Sequence, residues 1–342
     1  MKTGIAELPL HTGHCPKWLF LRMKKFAKAV CEAIIIEYGT EELLKRLSNP
    51  YFFQAFSCAA GFDWHSSGTT TTLCGAIKEA GLEEYGIAVC GGKGKVALKT
   101  PEEIKEKAKL IGVDEEKMIY TSRMCAKVDN TALQDAFELY HHVIIFDEHG
   151  NWCVVQQGMN ASLKYARRYH WFNTADFVSE PHAAVCCDKK VKPLNLVAEE
   201  SKEARKCITD LACEGEQKIK KLVLSSGHWF DTRPYEKAFS VLNEAREVQP
   251  RTFEELLAIK GLGAKTLRAL ALIAKLIYGC ELSWRDPVKY SFAHGGKDGV
   301  PYPVDKKLYD NTILTLEEAI QHAKLGKTEK LHALKALEKL KI

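Results

Sequence analysis

The sequence predicts an α+β protein that is predominantly α-helical. It has a mixed domain over residues 1–195 with a small β-hairpin, and an all-helical domain over residues 196–342. Three observations carry this expectation. Apolar residues recur at helical spacing behind recognisable caps through most of the chain, β-rich runs are few and short, and continuous helical periodicity sets in near Asn195. At 342 residues and 46% hydrophobic content the chain can bury a full core, and its length suits two domains better than one.

Pro16 opens a long amphipathic run through Ile36, stopped by Gly39, and Thr40 starts a short helix closed before Pro50. The aromatic stretch YFFQAFSCAAGFDWHSSG gathers Asp63, His65, Ser66 and Ser67 in a loop ahead of the helix TTTTLCGAIKEAG. Ile87–Cys90 is β-rich and runs into GGKGK, a basic glycine loop whose Lys93 and Lys95 can touch a phosphate. Thr100-Pro101-Glu102-Glu103 is a capping box with proline in the first helical position, giving a helix to Gly112.

Residues 114–142 are expected to be helical, which would put Asp135, Glu138 and His142 on one face as a site for a divalent cation. The competing account is an ordinary solvated face. HVIIFDEHGNWCVVQQG is a β-hairpin turning at Glu148-His149-Gly150-Asn151, with Gln156 and Gln157 at its exit able to reach base edges. ARRYHW is expected on a helix, where Arg167, Arg168 and His170 beside Tyr169 and Trp171 would mix cations with stacking surfaces. Beyond HAAVCC, helices are expected over 196–213, 216–224 and 234–248, then at 305–323 and 328–341 after a Gly/Pro-rich loop.

The most informative stretch is TFEELLAIKGLGAKTLRALALIAKLIYG, Thr252 to Gly279, which predicts a helix-hairpin-helix. Thr252 and Glu255 form a capping box, Gly261-Leu262-Gly263 makes the turn, and Leu267, Leu270, Ile273 and Ile277 line the buried side of the second helix. Amides of Gly261, Gly263 and the following helical turn would face a phosphate at a positive dipole end. Lys260, Lys265 and Arg268 would reinforce it, so backbone binding without base reading is expected.

The formal charge is +5, of which residues 252–342 supply +4 through 15 Lys and Arg against 11 Asp and Glu. Twelve cysteines occur with no CxxC, which favours small buried thiols over a zinc site. The chain has no run of eighteen apolar residues and opens without a signal peptide's apolar stretch, so a cytoplasmic location and no membrane partner are expected.

The hairpin GLGAKT resembles that of the endonuclease III superfamily of DNA glycosylases and abasic-site lyases. The resemblance implies DNA as partner and Lys265 as the nucleophile of an AP lyase, with or without glycosylase activity and without a cofactor. It also implies a downstream aspartate. Asp305, in HGGKDGVPYPVD, matches in kind, and Asp286, in WRDP, is nearer by spacing. No cysteine follows Cys280, so that superfamily's iron-sulfur cluster has no ligands here. Nearly the whole chain, through blocks such as FDWHSSG, CGGKGK, VDNTALQDAF and FAHGGKDG, resembles an uncharacterised archaeal and bacterial family of unknown function.

An abasic site is an aldehyde in equilibrium with its closed sugar, and an uncharged lysine attacks it to form a Schiff base. The first-turn position of Lys265 opposes an ammonium ion there, and a carboxylate such as Asp305 could take the proton. Lys297 and Lys127 are rival nucleophiles, each with an acid close by in sequence. Two other functions compete with DNA repair: a metal-dependent nuclease using Asp135, Glu138 and His142, and a non-catalytic nucleic-acid-binding protein.

Overall fold

The computed structural model describes residues 15–61, 67–225, 236–289, 314, 316, 318–323 and 325–338. Its centre is a five-stranded sheet in the order β1-β3-β4-β5-β6, antiparallel throughout. The strands are β1 (Ile87–Lys93), β3 (Glu138–Asp147), β4 (Trp152–Asn160), β5 (Tyr165–Phe172) and β6 (Ala184–Cys186). β2 (Leu133–Gln134) and β7 (Leu194–Asn195) form a separate two-residue ladder.

Helices cover both faces of that sheet. On one lie α1 (Lys17–Tyr38), α2 (Thr40–Ser48), α3 (Pro50–Ala59), α4 (Ser67–Ala80) and α11 (Lys327–Glu338), around Phe52, Phe53, Phe56, Val143, Ile145 and Val155. The other face carries α5 (Thr100–Ile111), α6 (Glu115–Lys127), α7 (Lys202–Ser225), α8 (Glu236–Val248), α9 (Phe253–Ala258) and α10 (Ala264–Tyr278). That second core runs unbroken from Ala88 and Ile144 through Leu194 to Leu267 and Leu270, across position 195. No helix among the described residues is long and apolar enough to cross a membrane.

Local signals set the helix ends. Asn49 caps α3 by accepting from the amides of Tyr51 and Phe52, and Asp114 caps α6 in the same way. The expected gap between 213 and 216 is a break at Gly215 inside α7. α1, α2, α5 and the 142–158 hairpin also form as expected.

Two expectations are corrected. α6 stops at Lys127, passes through a π turn over Val128–Ala132, and the chain then enters β2 and β3, so residues 128–142 are not a helix. ARRYHW is a strand, β5, and not a helix. A sheet buried on both faces lets polar and apolar residues alternate without either reaching water, which removes the usual outward polar signature of a strand.

Gly91 shows how tightly β1 meets β3. It sits at φ +103°, and a Cβ there would lie 2.2 Å from the His142 carbonyl oxygen and 3.0 Å from the Thr100 hydroxyl. Gly91→Ala should therefore lower unfolding free energy by about 2–4 kcal/mol, combining backbone strain with a clash against main chain. Urea denaturation checks this, and a loss under about 0.5 kcal/mol would contradict the tight approach.

Candidate nucleic-acid interface

α9 and α10 meet in a turn over residues 259–263. Thr252 accepts from the Glu255 amide at 3.1 Å, while the Glu255 carboxylate accepts from the amide of Arg251 at 2.7 Å, one residue earlier than an ideal capping box. The Leu262 amide donates to the Ile259 carbonyl at 3.4 Å, and Leu262 is buried with Phe253, Leu257, Leu267 and Leu270. Burying that leucine contributes roughly 2 kcal/mol and pins the apex inward.

The rest of the turn faces out. Lys260, Gly261, Lys265 and Arg268 are exposed, and Gly263 and Ala264 are partly so. Gly263 stands at the N-cap of α10 in an extended conformation with no side-chain cap, leaving the first-turn amides to solvent or a ligand. The two glycines differ. Gly261 has φ +87° and a Cβ there would sit 3.1 Å from Val241, whereas a Cβ on Gly263 would meet only the Gly261 oxygen, at 3.9 Å. Nothing inside the described protein requires Gly263 to be glycine.

Residues from the middle of the chain hold this turn in place. Gln134 donates to the Ala264 carbonyl at 2.8 Å and accepts from Arg268 Nε at 2.8 Å, and Tyr120 donates to Glu254 at 2.6 Å. Lys127, the last residue of α6, points its amine at the Ile259 carbonyl, 3.3 Å away. It is half-buried, and desolvation lowers its pKa. Gln134 and Tyr120 carried no sequence signal, because each acts across more than a hundred residues.

Other predicted residues lie elsewhere. Arg167 and Arg168 point to opposite faces of β5, and both are fully buried. Arg167 bridges Asp135 at 2.9 Å and Asp286 at 2.8 Å and stacks over Phe137. Burial works against its charge, yet the two carboxylates more than offset it and its pKa is raised. Arg168 reaches Thr70 and Gln54 over the Phe53 ring. His170 is buried beside Phe53. Gln157 bonds Thr70, the Ser67 carbonyl and Tyr140, and Gln156 joins His142 to Asp129. The expectation that Arg167, Arg168, His170, Gln156 and Gln157 contact nucleic acid is therefore corrected, since none of them reaches the surface. Asp286 is committed to Arg167 and to the Val191 amide. Lys93 is exposed at the end of β1 and Lys95 in the 3-10 turn that follows it, and Lys297 and Asp305 lie outside the described residues.

The shared helical face of Asp135, Glu138 and His142 does not form. Asp135 serves Arg167, Tyr169 and the Phe137 amide, Glu138 is exposed, and His142 bonds Ser122 at 2.7 Å and Gln156 at 2.8 Å. Among the described residues no group of three His, Cys, Asp or Glu is placed to hold a metal ion. Sequence reading also missed Asp129, which accepts from Gln156 at 2.6 Å and from Trp171 at 2.9 Å, and contacts His182 at 2.5 Å.

Fold and turn together define an α+β protein with a central antiparallel sheet, covered by helices on both faces and presenting an open, basic helical turn. The chain belongs to the family described as "Protein of unknown function (DUF763)", whose pattern matches residues 4–304. No curated protein and no solved structure matches it.

The buried histidines make stability depend on pH. Burial holds His141 at a pKa of about 3 and pushes His142 and His170 below the usual range. Unfolded, each takes a proton near pH ~6.5. Below about pH 6.5 the unfolded chain therefore binds more protons, so stability falls as pH drops, for His141 by up to ~1.4 kcal/mol per pH unit down to about pH 3, with His142 and His170 adding in the same direction. Urea midpoints measured from about pH 7 to about pH 4 should decline accordingly. In His141→Leu, which removes an imidazole with no hydrogen-bond partner among the described residues, the decline should be shallower by up to one proton's worth. An unchanged slope in that variant would mean His141 is protonated in the folded protein.

Proposed function

We propose that this protein binds the sugar-phosphate backbone of DNA at the 259–265 turn and acts there on abasic or damaged sites, as an AP lyase working through a lysine Schiff base. The observation that carries the reading is the openness of the turn. Lys260 and Lys265 stand in solvent around uncapped amides, while Ile259 and Leu262 anchor the bend in the core. A turn that only packed two helices would need neither the cations nor a glycine at 263. Lys265 has the position implied by the resemblance to the endonuclease III superfamily. Lys127 brings a second amine to the same bend.

The chemistry asks little more of the protein. Backbone amides and cations fix a phosphate, an amine meets the open-chain aldehyde of the neighbouring sugar, and the 3′-phosphate departs by β-elimination. Asp135 and His142 sit in separate hydrogen-bonded sets and Glu138 is exposed apart from both, so among the described residues the three form no cluster for the metal-dependent reading. A non-catalytic nucleic-acid-binding role remains as the outcome if binding occurs without chemistry.

Two measurements test the proposal. Replacing Lys260 and Lys265 together by glutamate should weaken duplex binding at least ~10-fold near 0.1 M salt and reduce the log–log salt slope by about two. Equal affinity in that variant would place the DNA elsewhere. Sodium borohydride added to the protein with an abasic-site duplex should leave a covalent protein–DNA adduct, insensitive to EDTA. Binding with no adduct would leave only the non-catalytic role.

A further inference from the structure

We infer that the nucleophile of this chemistry is Lys127, with Lys265 serving as a phosphate contact; the inference rests on the proposed lyase reading and names the amine that performs it. Position is the first reason. Lys127 Nζ lies 3.3 Å from the carbonyl of Ile259, the residue that opens the turn, so this amine sits at the bend although its backbone belongs to α6.

The second reason is how firmly the amine is held. Met124, Cys125 and Val128 are buried on either side of it, and Tyr120, two helical turns earlier, is bonded to Glu254 of α9. Asp129, two residues later, is fixed by Gln156, Trp171 and His182. Helix and turn thus form one rigid unit that presents the amine in a single place. Lys260 and Lys265, by contrast, are exposed, as a contact to a solvated phosphate requires.

The third reason is the company the amine keeps. Among the described residues no carboxylate pairs with Lys127, and its one hydrogen bond is a donation to a neutral carbonyl. A neutral amine making that donation keeps its lone pair free for attack. Burial also lowers its pKa, the direction an attacking amine needs.

In the first step the Nζ lone pair bonds to C1′ of the open-chain sugar. The aldehyde oxygen leaves as water, taking one proton from the amine and one from solvent, and a protonated imine remains. Loss of a C2′ proton to solvent then drives cleavage of the C3′–O bond, with the phosphate carrying away the electron pair. Water hydrolyses the imine and returns the lysine. Borohydride instead delivers hydride to the imine carbon and fixes the adduct as a secondary amine.

The test is borohydride trapping of the full chain on an abasic duplex, with the modified peptide mapped by mass spectrometry. Binding is measured separately on a duplex carrying a tetrahydrofuran site, which has no aldehyde. The adduct is expected on Lys127. Lys127→Arg, which keeps the charge but not the nucleophile, should lose at least ~100-fold in trapping while binding changes less than ~3-fold and the circular dichroism spectrum is preserved. Lys265→Ala should weaken binding and trapping in the same proportion, its residual adduct still on Lys127. An adduct mapped to Lys265 or another lysine overturns the assignment and leaves the lyase reading standing. No adduct on any lysine, with binding intact, overturns both.

Discussion

A sheet with helices over both faces buries most of the polar side chains it carries, and the charged ones among these are paired inside. β5 shows the consequence most sharply, because Arg167, Arg168, Tyr169 and His170 follow one another and all are buried. Arg167 answers with two carboxylates from distant parts of the chain, one just before β3 and the other beyond α10. Removing either partner from such a set leaves an uncompensated buried charge, at a cost of about 3–5 kcal/mol, so these contacts bind remote segments into one arrangement.

That arrangement places the basic turn. Asp129 is drawn under the sheet by Gln156, Trp171 and His182, which ends α6 in a π turn instead of letting it continue. Because α6 ends there, Lys127 meets the Ile259 carbonyl, and Gln134, just past the π turn, meets Ala264 and Arg268. The bend between α9 and α10 is therefore braced from residues more than a hundred positions earlier. Single π turns recur at functional sites for a physical reason, since the inserted residue re-aims the downstream chain.

The sequence made visible the features that local chemistry decides. Thr252 with Glu255, Asn49 before Pro50, Asp114, Gly215 and the Gly261–Gly263 turn each shape their own structure within four or five residues. Its failures come from tertiary burial. ARRYHW has the composition of an exposed helix or a nucleic-acid surface, and only the presence of α3 and α4 on one side and the second core on the other explains two adjacent buried arginines. Asp135, Glu138 and His142 share a face only if the chain is helical, and the strand that replaces the helix separates them. In the candidate site, the turn, its cations and Lys127 as a candidate amine were legible, whereas the place of Lys127 at the bend rests on a hydrogen bond that no spacing rule encodes.

The turn's composition also runs against stability. The N-terminal end of a helix favours Ser, Thr, Asp or Asn as a cap, by about 1 kcal/mol over alanine, and favours carboxylates over cations in the first turn by about 0.3–1 kcal/mol per charge. α10 has neither an acidic first turn nor a side-chain cap, and it carries Lys265 there with Lys260 just before it. α2, α5 and α6 of the same chain each place two glutamates in their first turns, so the chain elsewhere uses the stabilising arrangement. Among the described residues, what these cations and open amides lack is a shared counter-charge. An anion seated over Gly263 would satisfy the amides, complement the dipole and pair the lysines at once, and a missing Cβ at 263 leaves room for it. A phosphate in a polymer suits such a place better than a free one, because lysines spaced on either side of the bend can engage its neighbours along the strand.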